Sequence, residues 1–519
     1  MSKDISDFAL DVPSTITSGD RWERITRRWW TWPAVALLLI WGVKLYQIGT
    51  MGDPLPYWDQ WDAEAANLFV PYLNDRLDVA DLLASHNEHR ILFTRLIALG
   101  VLEMSGTWNV ILEMMIGACL HVAFLAQLVW MLRRTSLHLM PGMFAIFLLL
   151  LFALPADMEN TLVGFQSQFY LLGIFSTASL ILLVEATPLA WRWWLGVSLA
   201  VLAYFCMAAG VLTAVAAGGV IAVQLMRRLR PAGSAIGAIG VLGTLAAILL
   251  LYTERPPHHA AMQAKSVLDS IMAFGRSAGW PLPGTVISPL VINAPVIALA
   301  ILSWWRRYPV GHPAWRVVAL MAWVGLQCAS LAYGRAVAPV ESRYIDVLAL
   351  TVIFNFAALM MLLSNLEIIR TWMPNWRALT TVWLAITAGG IVLYAARSVP
   401  RWAMTDPAAV LARTENVVAF IRSGDPAVLR QPFLHIPYPN PDRLAAILST
   451  PEVRGILPDQ YGVPAAEREA MRQRLALKGG LAIDPGLLKR VAMILGSLIM
   501  ALATGLLVAL HAGRWRLPA

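Results

Sequence analysis

Stretches of about twenty apolar residues, the length an α-helix needs to cross a ~30 Å hydrocarbon core, recur from Trp32 to His511 with short polar breaks between them. The first covers about Trp32–Ile48 and the second Trp108–Leu132. Between them, "ILFTRLIALGVLEM" (Ile91–Met104) is too short and interrupted to cross, and its apolar face predicts an interfacial helix lying on the membrane. The long runs with no intervening linker predict one large helical membrane domain.

The polar breaks carry the topology, because Lys and Arg in short loops stay on the cytoplasmic side. With Arg24, Arg27 and Arg28 inside, alternation also places inside Arg133 and Arg134, Arg192, Arg227, Arg228 and Arg230, Arg306, Arg307 and Arg316, Arg370 and Arg377, and finally Arg514 and Arg516. The expectation is an all-α polytopic membrane protein of about twelve transmembrane helices with both termini cytoplasmic. Residues 1–31 form the amino-terminal segment and 32–398 the transmembrane domain. An outer segment spans 399–487, and 488–519 hold the last helix and a cytoplasmic tail. Loops 50–107, 156–162, 253–285 and 333–343 join 399–487 on the outside. That last segment is rich in Pro, Asp and Arg, and short patterns such as "PDRLAAIL" predict a piece that packs on the membrane domain rather than folding alone.

Composition agrees with this picture. Hydrophobic residues make up 58% of the 519, charged residues 14%, and mean hydropathy is +0.62. The net charge of +8 sits at span ends, which topology explains better than a nucleic-acid partner does. "RWERITRRWW" precedes the first span without a small-residue cleavage pattern, so a removable signal peptide is not expected. Cys119, Cys206 and Cys328 lie in apolar runs without CxxC or Cys/His spacing and read as core thiols. Patterns such as GxxxxGK, GxGxxG or GxSxG do not occur, which disfavours an ATP-driven pump, a dinucleotide enzyme and a serine hydrolase.

Ionisable groups at a membrane are costly and mark function. Three clusters fall on the outer side. In "YWDQWDAEAANLF", Asp59 and Asp62 are three apart, so a helical turn brings both carboxylates to one face, where repulsion and burial raise the pKa of one, as a general base requires. Trp58 and Trp61 flank them as platforms on which sugars stack. The plainer reading makes Asp62 the N-cap of the following helix. In "HNEHRILFTRL", His86, Glu88 and His89 resemble metal ligands without matching HExxH. They serve equally to orient a hydroxyl while Arg90 pairs with phosphate or an acid. In "GRAVAPVESRYIDVLAL", Arg335, Arg343 and Tyr344 offer cations and a hydroxyl for a phosphate. A snorkelling Arg with an aromatic-belt Tyr is the plain alternative. Weaker candidates are Asp157, Glu159, Asn160, Gln166 and Gln168 in "PADMENTLVGFQSQFY", and the loop "TERPPHHAAMQAK".

This order of parts resembles the GT-C superfamily of polytopic glycosyltransferases, which includes protein O-mannosyltransferases and the aminoarabinose transferase of lipid A. "PYWDQWD", "HNEHRILFTRL", "GFQSQF" and "YPNPDRLAAILSTPEVRGILP" look like bacterial membrane proteins grouped near surface-glycan genes. The Asp-x-x-Asp spacing departs from the adjacent Asp-Glu of the O-mannosyltransferases. The resemblance implies transfer from a polyprenyl-phosphate sugar to a glycan or glycolipid on the outer face of the bacterial cytoplasmic membrane. Asp59 or Asp62, with Glu88, would be catalytic. Arg343, Tyr344, Arg90 and Arg335 would hold the phosphate, and Trp58, Trp61, His86, His89 and Gln166 the sugar and acceptor. A divalent cation (Mg or Mn) on Asp59, His86, Glu88 and His89 is the metal-dependent variant. The alternative is a transporter or flippase of lipid-linked saccharides, followed by an assembly factor without chemistry.

Overall fold

A computed structural model describes residues 29–365, 374–398 and 405–514. Arg24, Arg27, Arg28, Arg370 and Arg516 of the topology expectation lie outside the described residues, as do 399–404 at the start of the expected outer segment. The described residues form helices and turns with no strand.

Ten helices among them are long and apolar enough to cross a membrane: α1 (Thr31–Met51), α2 (Val110–Arg134), α3 (Gly164–Glu185), α4 (Ala208–Met226), α5 (Ala232–Leu251), α6 (Ser288–Arg306), α7 (Pro313–Gly334), α8 (Ser342–Leu363), α9 (Trp376–Ser398) and α10 (Pro485–Ala512). The protein is an all-α, multi-pass membrane protein. Two further stretches expected to cross are shorter, Pro141–Phe152 and Trp191–Tyr204. At 1.5 Å per residue they reach only about 18 and 21 Å. The stretch expected to lie at the interface is the helix Leu92–Ser105, which is not among the ten.

Helix ends sort into two groups. At one, Arg316 pairs with Glu185 and donates to the Met131 carbonyl, Arg230 donates to Ala186 and Val184, and Arg227 lies over Trp304. At the other, Leu92 N donates to Phe205 O, Arg90 to Tyr252 O, Ala264 N to Tyr333 O, and Glu159 N to Ser342 Oγ. Loops 50–107, 156–162, 253–285 and 333–343, expected on one face, therefore meet at one end. The basic loops meet at the other.

α8 is mostly apolar and buried along nearly its whole length, as a central helix should be. α1 and α10 approach so closely that a Cβ at Gly49 would lie 2.4 Å from Met493 N, which only glycine permits. A second core lies beyond the acid end, where Trp61, Leu68 and Phe69 of the first loop and Trp108 just before α2 pack with Val417, Phe420, Leu444, Ile456 and Tyr461. The carboxy-terminal segment thus shares its core with the first loop.

Candidate functional site

The stretch after α1 turns sharply at Trp58, whose φ of 54° is left-handed, a costly conformation for a side chain of this size. Its N–H is held by Pro437 O at 2.8 Å. From Trp61 to Phe69 the chain winds with π geometry, Val70 N reaching back to Ala65 O, a form frequent at functional sites. The turn sets Trp58 and Asp59 on the wall of a cavity of about 430 Å³.

Four segments supply the other walls. Glu159 comes from the stretch leading into α3 and Phe165 and Gln166 from its first turn, Glu341 and Arg343 from the entrance of α8, Tyr394 and Ser398 from the end of α9, and Phe433 from the carboxy-terminal segment. Trp58 meets Phe433 edge-on at 5.0 Å, making an aromatic side. Gln166 Oε1 is buried and has no hydrogen-bond partner among the described residues, leaving an acceptor for a ligand donor.

Charge in the cavity is arranged around two poles. His86 Nε2 lies 3.8 Å from Asp59 Oδ1. Burial works to raise the Asp59 carboxyl, but His86 close beside it, with Arg343 behind, leaves it below the usual carboxylate range. The raised value expected for one acid of the Asp59–Asp62 pair is thus not found at Asp59; of the acids lining the cavity, burial raises Glu159, against the pull of Arg343. Arg343 grips Glu341 Oε2 through Nε at 2.9 Å and Nη2 at 2.5 Å, with Glu159 3.8 Å away. Three carboxylates and one guanidinium therefore face one space.

The other expected residues divide by what holds them. Asp62 does not cap the helix, which starts at Trp61 without a side-chain cap; it accepts from Arg443 at 3.0 and 2.8 Å and from the Tyr438 hydroxyl. Trp61 is wholly buried, its indole donating to Pro56 O and packing on Trp108, so it offers no face to a sugar. Glu88 bonds Arg335 at 2.6 Å and His259 at 2.8 Å, a knot that ties the first loop to loops 253–285 and 333–343. Beside it, His89 is held neutral, burial pushing it down to about 4. Arg90 donates to the Leu83 and Tyr252 carbonyls and covers the Tyr252 ring. Tyr344 is buried under Arg343.

Asp59, His86, Glu88 and His89 do not gather their ligand atoms around a point. Among the described residues the group that does is His121, Asp157 and Asp346, so the expected cation set does not fit a metal. Lys44, which bonds Asp157 at 2.6 Å, His121 and Glu113 lie outside the three clusters of the sequence. The rule that ionisable residues inside apolar spans mark function would have found all three. Phe433, Tyr394 and Ser398 carry no such signal.

No protein-family model, curated protein or solved structure matches this chain. The cavity's own chemistry has to carry the functional reading.

Proposed function

We propose that this chain is a GT-C-type glycosyltransferase that moves a sugar from a polyprenyl-phosphate donor to a glycan or glycolipid acceptor on the outer face of a bacterial cytoplasmic membrane. One observation carries the reading: an ionised acid, Asp59, and a cation, Arg343, from opposite parts of the chain face one cavity beside an exposed aromatic. At about 430 Å³ it has the size of a small-molecule site. The two short helices count as crossings in this proposal, which gives twelve and sets the cavity on the outer side, opposite the arginines.

Asp59 accepts the proton of an acceptor hydroxyl as that oxygen bonds to the anomeric carbon. The bond from that carbon to the phosphate oxygen breaks, and the phosphate leaves with the electron pair towards Arg343, with inversion at the carbon. Trp58 and Phe433 face the sugar, and Gln166 Oε1 accepts from one of its hydroxyls. Support for a lipid-borne donor comes from α9, which lends Tyr394 and Ser398 to the cavity while Leu379, Val382 and Val392 on the same helix stay exposed to the bilayer.

Proteoliposomes given a radiolabelled polyprenyl-phosphate sugar and an acceptor test this. Transfer by the native chain and its loss in Asp59→Asn, with polyprenyl-phosphate binding retained, is the expected result; undiminished transfer in Asp59→Asn would overturn it. The buried Lys44–Asp157–Asp346 group favours a second reading, a carrier of lipid-linked saccharides, since such carriers hold ionisable groups between helices. A carrier would move the donor between leaflets in the same vesicles and form no glycosidic bond.

A further inference from the structure

Beneath the cavity floor, α2, the connector before α3 and α8 each direct one metal-binding side chain to a common point. His121, Asp157 and Asp346 are all buried, and one ligand atom from each lies within 4.8 Å of the others. His121 is wholly enclosed, stacked on Tyr170 at 4.5 Å and edge-on to Phe152. Neither of its ring nitrogens, nor Asp346 Oδ1, has a hydrogen-bond partner among the described residues. Such orphans are rare in buried positions and need a reason.

We propose that His121, Asp157 and Asp346 form a binding site for a divalent transition-metal ion of the Zn²⁺ class. His121 Nε2 and Asp346 Oδ1 stand 3.7 Å apart, too far for a hydrogen bond. Two ligands each ~2.1 Å from a tetrahedral ion lie about 3.4 Å apart, close to what is seen. Each carboxylate has one oxygen held by a neighbouring donor. Lys44 Nζ donates to Asp157 Oδ2 at 2.6 Å, and Asn160 Nδ2 donates to Asp346 Oδ2 at 2.9 Å, as outer partners orient metal ligands. An imidazole with two carboxylates favours a transition metal over Mg²⁺ or Ca²⁺.

The ion would lock the cavity floor. Asn160, which steadies Asp346, also donates to the Arg343 carbonyl at 2.9 Å, and Glu159 is its neighbour in the chain. The ion therefore fixes where the cavity's cation and one of its acids stand.

The full chain, purified in detergent, stripped with chelator and titrated with Zn²⁺, provides the test, read as ion content by mass spectrometry and as affinity by calorimetry. The expected result is one ion per chain, affinity at least 100-fold weaker in His121→Ala and Asp346→Asn, and roughly 10-fold weaker in Asn160→Ala. Glu88→Gln should keep the ion; losing it there would move the site to the Glu88–His259 knot and overturn the assignment. Full occupancy in His121→Ala, or no binding by the native chain at millimolar Zn²⁺, would overturn it as well. Should the variants fail to fold, Co²⁺ in the native chain gives the answer by X-ray absorption, with an imidazole nitrogen in the coordination sphere expected and its absence fatal. Ion content is read independently of sugar transfer, so the proposed reaction can fail while this site stands.

Discussion

His86 Nε2 lies 3.8 Å from Asp59 Oδ1, each residue held in place by its own backbone turn. His86 and His89 exchange both backbone hydrogen bonds around Asn87, and Asp59 follows the left-handed Trp58. His86 helps keep the Asp59 carboxyl low, so at neutral pH Asp59 is ionised and able to accept a proton.

His86→Ala should let the Asp59 carboxyl rise, because burial then acts with less opposition. The acid limb of the rate against pH should move to higher pH, while Asp59→Asn should lose about 10²–10⁴-fold in rate at every pH. A pH profile of sugar transfer in proteoliposomes checks both. An acid limb unmoved by His86→Ala would deny the pair any role in setting the base.

Arg343 already holds Glu341, so a phosphate must compete with a carboxylate for the same guanidinium. Removing the cation and removing its competitor should have opposite effects. Arg343→Ala should weaken polyprenyl-phosphate binding by about 10- to 100-fold, the scale of a lost charged hydrogen bond. Glu341→Gln should tighten it. Fluorescence titration with a labelled polyprenyl phosphate measures both, and unchanged affinity in Arg343→Ala would remove the phosphate role.

Much of this arrangement was legible along the chain, because charge alternation alone brings loops 50–107, 156–162 and 333–343 to one end. Once they are there, Asp59 and Arg343 share a cavity with little further information. What decides between Asp59 and Asp62 is not local. Arg443, which holds Asp62, stands 381 residues further on, and its packing depends on a core shared between two distant segments. The π winding from Trp61 adds a second departure, since it breaks the simple rule that residues three apart share a helix face. Nor is the place of Trp61 local: an indole beside an acid looks alike in sequence whether it faces a cavity or, as here, the Trp108 ring. Lys44, His121 and Glu113 form no cluster in the sequence, because each stands singly in an apolar run.

Asp62 should matter for stability and not for transfer. Its carboxylate joins Arg443 and Tyr438, so it ties the first loop to the carboxy-terminal segment. Asp62→Asn should cost about 1–3 kcal/mol, with transfer by the folded fraction within a few-fold of native. In a double-mutant cycle with Arg443→Ala the two losses should fall short of adding, because both remove one interaction. Thermal unfolding in detergent supplies the stabilities. Loss of transfer at full stability would instead give Asp62 a chemical role.

Glu64 and Glu113 bring a different pH dependence, set below the cavity wall. Gln60 Nε2 donates at 3.0 Å to both carboxyl groups, Trp108 Nε1 donates to Glu64 at 2.9 Å, and one oxygen of each acid has no partner among the described residues. Gly164 admits this pair, since a Cβ there would come within 2.4 Å of Glu113 Oε2. Burial pushes Glu64 up to about 7, above the 4.5 it has when exposed. Below pH 4.5 the acid is protonated folded or unfolded, and its stabilising effect is complete. As pH rises, the unfolded chain gives up its proton first and is favoured, so stability should fall between about pH 4.5 and 7 and level off beyond. Glu64→Gln cannot ionise, so it removes one acid of the pair and should make that slope shallower. Melting temperatures of the native and Glu64→Gln chains across pH 4.5–8 measure the difference, and parallel curves would show that Glu64 does not hold its proton in the fold.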